Sequence, residues 1–203
     1  MKIVIVDYGM GNIKSISSSL KYIGVDNVIL SADFDAMHSA DKLILPGVGA
    51  FGEAMSRIKE KQIDSYLNQL VIANNKPILG ICLGMQLMGN SSNEDGNNPG
   101  LGFVNAAVRK FELESVKIPH VGFNQVHSHD GSRLYFNIAN RSDFYFTHSY
   151  RMTGEADIDP SFCEYGERFI ASFEKDNIAG VQFHPELSQR NGLNLLRNFI
   201  EKF

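Results

Sequence analysis

The sequence predicts an α/β fold, a parallel β-sheet flanked by helices and extended by antiparallel strands. Three observations lead there. Residues 1–90 alternate short apolar runs with amphipathic stretches, the pattern of buried strands joined by helical crossovers. Beyond Met88 the chain turns to short β segments separated by turn-forming residues. A closing stretch, residues 192–203, gathers Leu195, Leu196, Phe199 and Ile200 on one helical side.

Ile3, Val4, Ile5 and Val6 open the chain without a polar interruption, as a strand covered on both faces does. Residues 12–23 follow with Ile13, Ile16, Leu20 and Ile23 at helical spacing. Strands are expected at 28–30 and 42–45. A helix over 51–73, carried by Ile58, Ile63, Leu67, Leu70 and Val71, then leads into a strand at 77–81. Parallel strands joined through helices take right-handed crossovers, and ligands of such sheets bind beyond the strands' carboxyl ends. The loops after Val6, Leu45 and Ile81 are therefore the places to search. Residues 89–100 form a polar, glycine-rich loop. Segments 105–111, 143–150 and 168–173 read as strands of antiparallel hairpins, and 179–183 as one more strand.

A chain of 203 residues without internal repeat or proline-rich linker reads as a single domain, 1–203. With 43% hydrophobic and 21% charged residues it is neither disordered nor a coiled coil. A net charge of −4 without a basic run argues against nucleic acid or an anionic membrane as partner. No apolar stretch approaches a membrane span, and no signal peptide precedes Lys2, so a cytoplasmic protein is expected. The two cysteines, Cys82 and Cys163, are too few for a disulfide scaffold.

Cys82 stands in Gly80-Ile81-Cys82-Leu83-Gly84, between an apolar strand and a helix-compatible segment. Glycines on both sides permit the sharp strand-to-helix turn that exposes a nucleophile, and free N–H groups at a helix start favour a thiolate. The N–H of Leu83 would meet an oxyanion. The plain alternative is a buried structural cysteine. A thiol also needs a base, and among six histidines His184 follows a strand and opens His184-Pro185-Glu186. In extended backbone, residues two apart share a face, so Glu186 can orient His184. Alone, this tripeptide could equally be a surface turn. Pro46-Gly47-Val48-Gly49 ends another strand, and its glycines allow a peptide N–H, at Gly47 or Val48, to complete an oxyanion site.

These motifs, joined by Asp7-Tyr8-Gly9-Met10-Gly11-Asn12, Pro119-His120-Val121-Gly122-Phe123-Asn124 and Thr147-His148-Ser149-Tyr150-Arg151, resemble the class I glutamine amidotransferases over essentially the whole chain. The resemblance implies a flavodoxin-like sheet and a glutaminase. Cys82 would form a γ-glutamyl thioester, with His184 and Glu186 completing the triad and Val48 and Leu83 holding the oxyanion. Gln86, Glu94, Ser149 and Tyr150 would receive the α-amino and α-carboxylate end of L-glutamine. It implies no cofactor or metal, and a heterodimer in which ammonia passes to a (βα)8-barrel cyclase of histidine biosynthesis. Asn12, Phe123 and Leu187 would face that partner.

Two positions depart from the family's pattern, Phe123 for a usual Trp and Leu187 for a usual Lys or Arg. They keep open a paralogous role, ammonia supply for acetamidino sugars of surface polysaccharides. A non-catalytic flavodoxin-like interaction protein is a further alternative, as is another kind of cysteine hydrolase. Gly9-x-Gly11 does not continue as a dinucleotide fingerprint, since position 14 is Lys14. His120, His127 and His129 complete no familiar zinc spacing. Tyr145, Phe146, Tyr150 and Cys163 read as packing residues.

Overall fold

The computed structural model describes residues 1–112, 115–154 and 156–203. Thirteen strands are present among the described residues: β1 (Lys2–Val6), β2 (Asn27–Ser31), β3 (Lys42–Leu45), β4 (Ile78–Ile81), β5 (Ser91–Ser92), β6 (Asn98–Pro99), β7 (Ala107–Lys110), β8 (His120–His127), β9 (Ser142–His148), β10 (Tyr150–Thr153), β11 (Asp159–Tyr165), β12 (Glu167–Lys175) and β13 (Ile178–Val181). The α-helices are α1 (Ile13–Tyr22), α2 (Phe34–His38), α3 (Phe51–Glu60), α4 (Ile63–Leu67), α5 (Leu83–Leu87) and α6 (Gln189–Lys202).

The main sheet runs β2-β1-β3-β4-β13-β12-β11-β8-β9. Its first five strands pair in parallel, and from β13 onward every neighbour is antiparallel. Alternate residues feed two separate cores, as the period of a strand demands. Val4, Val6, Leu43, Leu45 and Ile78 pack with Phe51, Met55, Ile58 and Leu67 on one face. Ile3, Ile5, Ile44, Leu79 and Ile81 pack with Ile16, Leu20, Leu195, Leu196 and Phe199 on the other. Burial on both faces is why these strands read as unbroken apolar runs. The smaller sheet, β10-β7-β5-β6, takes β5 and β6 from the polar loop, which thus contains two short strands.

Several expected boundaries move. The helix expected over 51–73 breaks at Gln62, whose φ of 57° is left-handed, and resumes as α4 and a π-helical turn, Asn68–Ala73. The apolar spacing persists across the break because Ile58, Ile63, Leu67, Leu70 and Val71 all stay buried. The segment 143–150 is two strands, parted at Ser149, of which β10 joins the smaller sheet. The segment 105–111 shortens to β7 and 168–173 lengthens to β12. Strands β8 and β11 and helix α2 were not delimited by the sequence pattern, and α6 begins at Gln189 rather than 192. No helix of the described residues is long and apolar enough to cross a membrane.

Candidate active site

Strand β4 ends at Ile81 and α5 begins at Leu83, leaving Cys82 at the turn with φ 53° and ψ −111°. A non-glycine residue there costs on the order of 1–3 kcal/mol, so the surroundings must impose it. They do so by close packing. A Cβ on Gly84 would lie 1.9 Å from the Leu45 carbonyl oxygen, and one on Gly80 would lie 2.7 Å from the Met85 nitrogen. The Cys82 N–H donates to the Val181 carbonyl at 2.8 Å, tying the turn to β13. Helix α5 is five residues long, so what it offers the sulfur is the free N–H groups of its first turn.

Cys82 opens onto a pocket of about 290 Å³ that is also lined by Val48, Leu83, Gln86, Glu94, Ser149, Tyr150 and His184. Eight of the residues expected from sequence therefore converge. Gly47 and Glu186 stand behind the lining. A Cβ at Gly47 would meet the Tyr8 hydroxyl, the Leu83 Cβ and the Gly84 nitrogen, each at 2.7 Å. That hydroxyl donates to the Pro46 carbonyl at 2.6 Å and so holds the chain entering Gly47. Gly49 has φ +103°, which favours glycine.

Glu186 Oε1 accepts from His184 Nδ1 at 2.8 Å, and its side chain is fully buried. The outcome agrees with the sequence expectation but the backbone differs, since Pro185–Leu187 is a 3-10 turn rather than an extended segment. The turn is clamped from both sides. The His184 N–H donates to the Tyr145 carbonyl at 2.8 Å, and a Cβ on Gly192 would fall 1.8 Å from the Pro185 oxygen. Burial works against charge on His184, but contact with Cys82 and the Glu186 carboxylate prevail and raise its pKa to about 10. Its Nε2 is buried with no partner at hydrogen-bond length among the described residues, while Cys82 Sγ lies 3.9 Å from the Thr147 carbonyl oxygen. A protonated imidazole beside a sulfur nucleophile can give a proton to a leaving amine before it takes one from water.

Gln86 Nε2 donates to the Tyr150 carbonyl at 3.0 Å and to Gln182 Oε1 at 2.8 Å. Glu94 Oε2 accepts the Phe51 N–H at 2.7 Å, so this carboxylate ties the polar loop to the start of α3 while lining the pocket. Burial and the charges of Glu94 and Asp95 raise the Tyr150 pKa. The Ser149 carbonyl is engaged by the Phe111 N–H at 3.1 Å.

Of the three residues expected to face a partner, Asn12 turns its side chain inward and donates to Glu186 Oε1 at 3.2 Å. Phe123 and Leu187 are 49% and 41% exposed, and Val48 and Val121 are exposed as well. Phe123 rests edge-on against Tyr145, whose N–H is held by the Ser188 hydroxyl next to the His184 turn. Sequence reasoning did not single out Tyr8, Gln182 or the His120–His148 pair for this site. His120 Nδ1 and His148 Nε2 lie 3.1 Å apart, and burial lowers the two pKa values to about 4 and about 3. The one visible signal was Gln182, a polar residue inside the apolar run 179–183. Cys163 is fully buried, which raises its pKa to about 12 and leaves it a packing thiol.

A family model described as glutamine amidotransferase class-I matches residues 4–203. The imidazole glycerol phosphate synthase subunit HisH of Aquifex aeolicus is 43% identical over 203 residues, spanning 100% of this chain and 97% of that one. The imidazole glycerol phosphate synthase subunit HisH 1 of Campylobacter jejuni is 45% identical, with 98% of each chain covered. Among solved structures, a glutamine amidotransferase shares the fold, with a TM-score of 0.78, 15% identity, and 99% and 98% of the two chains covered.

Proposed function

The chain belongs to the class I glutamine amidotransferase family, and from that premise we propose that it is the glutaminase subunit of imidazole glycerol phosphate synthase, releasing ammonia from L-glutamine for a cyclase partner in histidine biosynthesis. The observation that carries this reading is the convergence of strained Cys82 and the His184–Glu186 pair on one pocket.

On this reading the Cys82 thiolate attacks the side-chain carbonyl carbon of glutamine, and the Leu83 and Val48 N–H groups, beside Gly47, receive the oxyanion. Protonated His184 gives its proton to the amide nitrogen as the C–N bond breaks, so ammonia leaves and a γ-glutamyl thioester remains. Neutral His184 then takes a proton from water as its oxygen attacks the thioester. Cleavage of the C–S bond returns the thiolate, and the second proton leaves with the new carboxyl group. Gln86, Glu94 and the backbone at Ser149 and Tyr150 hold the α-amino and α-carboxylate end.

The partner in this account is a (βα)8-barrel cyclase docked on exposed Phe123 and Leu187, with Asn12 beneath it. Mixing the chain with that cyclase and its nucleotide substrate tests the assignment. Product should form with glutamine or with added ammonia, and Cys82→Ala should abolish only the glutamine-dependent part. Product from ammonia but none from glutamine with the native chain would overturn it. Leu187, apolar where the family carries a cation, favours a second reading, a sugar-pathway barrel. Ammonia transfer to that barrel instead of the histidine cyclase would select it.

A further inference from the structure

Gln182 follows β13 and is completely buried. Its N–H is spent on the Ala171 carbonyl at 2.8 Å, so its side-chain amide is the part left to act. That amide bridges two groups of the pocket. Nε2 lies 3.7 Å from Cys82 Sγ, and Oε1 lies 2.8 Å from Gln86 Nε2.

The orientation of this bridge follows from a backbone group. The Tyr150 carbonyl can only accept, and both His148 Nδ1 at 2.8 Å and Gln86 Nε2 at 3.0 Å meet it, so both are donors. Gln86 therefore cannot be turned over, and its second N–H requires an acceptor in Gln182. With Oε1 committed there, Gln182 presents Nε2 to the sulfur. Two consequences follow. The sulfur receives an N–H, and such a bond is stronger to a thiolate than to a thiol. Both hydrogens of Gln86 are used, which leaves Gln86 Oε1 as its free group, an acceptor suited to an ammonium.

We propose that Gln182 is a positioning residue of the glutaminase site, holding Cys82 in its ionised form through Nε2 and fixing Gln86 as an acceptor for the substrate's α-amino group through Oε1. The proposal rests on the glutaminase reading for its second half and on the pocket geometry alone for its first. The other ionisable groups around Cys82 are His184, His148, Glu94, Tyr150 and Tyr8, and the Gln182 side chain hydrogen-bonds to none of these side chains among the described residues.

Gln182→Met keeps the length and apolar bulk of the side chain and removes both polar ends. In the full chain without glutamine, alkylation of Cys82 by iodoacetamide, located by peptide mass analysis, should slow about tenfold at neutral pH, with its pH profile displaced upward. In complex with the cyclase, KM for glutamine should rise about tenfold as Gln86 loses its anchor. An unchanged alkylation profile in the folded variant overturns the proposal, even if glutamine is turned over. Displaced alkylation in the variant, beside a native chain that releases no glutamate even with the cyclase, supports the thiolate half and removes the glutaminase reading instead. Should the variant fail to fold, the native chain decides. The side-chain amide protons of Gln182 should shift in NMR spectra across the pH range in which alkylation rises, and remain still in Cys82→Ala. Protons that stay still in the native chain overturn the proposal.

Discussion

Asn12 donates to Glu186 Oε1 at 3.2 Å across 174 residues of sequence, so the loop after β1 reaches the carboxylate that orients His184. Among the described residues the Glu186 carboxylate is otherwise held only by His184, and its Oε2 has no partner. Asn12→Ala removes one of two donors from a buried carboxylate, at a cost of about 1–3 kcal/mol. Glutamate release by the complex should fall several-fold, and the melting temperature should drop by roughly 2–10 °C. A variant that melts and turns over like the native chain would sever this loop from the triad.

His184 titrates near 10 because its partners outweigh its burial. Cys82→Ala removes the sulfur that helps to raise this value, so the imidazole should titrate at a clearly lower pH, read from its Cε1 proton by NMR. The sign for stability follows. A pKa raised in the folded state contributes stability in full below the ordinary value of about 6.5, and loses it as pH rises through about 10. Native protein should therefore lose its advantage over Cys82→Ala across that window in thermal melts.

The His120–His148 pair acts in the opposite sense. Both rings are buried and neutral, with folded values of about 4 and about 3 against an ordinary 6.5. The unfolded chain binds more protons as pH falls from 6.5 towards 4, so the pair makes the fold less stable through that range. His120→Phe preserves the stacking on Tyr165, whose centroid is 3.8 Å away, but cannot titrate. Its stability should decline less steeply in acid than the native chain's, as denaturant melts at stepped pH would record.

Gly84→Ala forces a methyl group to within 1.9 Å of the Leu45 carbonyl oxygen, where only backbone could give way. Stability should fall by roughly 3 kcal/mol, with the elbow displaced and glutaminase activity lost. Gly24→Ala is the control, because nothing lies within 4 Å of a Cβ built there, although its φ of +95° is one that L side chains rarely adopt. It should cost about 1 kcal/mol and leave turnover intact.

The parallel half of the sheet was legible because β1, β3 and β4 are buried on both faces, which leaves no polar residue beyond the leading Lys2 and Lys42 to disguise them. Strand β8 was not, since Val121 and Phe123 stand on its exposed side and spoil the alternation that marks a half-buried strand. The helix break at Gln62 has neither glycine nor proline to announce it. In the site, Cys82 and its glycines were readable because backbone geometry dictates those residue types locally. Gln182, Tyr8 and the inward turn of Asn12 were not, because their partners lie 38 to 174 residues away and only the folded chain brings them together.

Glutamate release from glutamine, measured with the native chain and with Cys82→Ala, each alone and with the cyclase subunit, tests the central claim most directly. The native chain should release little glutamate alone and much more with the cyclase, and Cys82→Ala should release none in either setting. No release from the native chain in both settings, or release that Cys82→Ala leaves undiminished, would contradict the account.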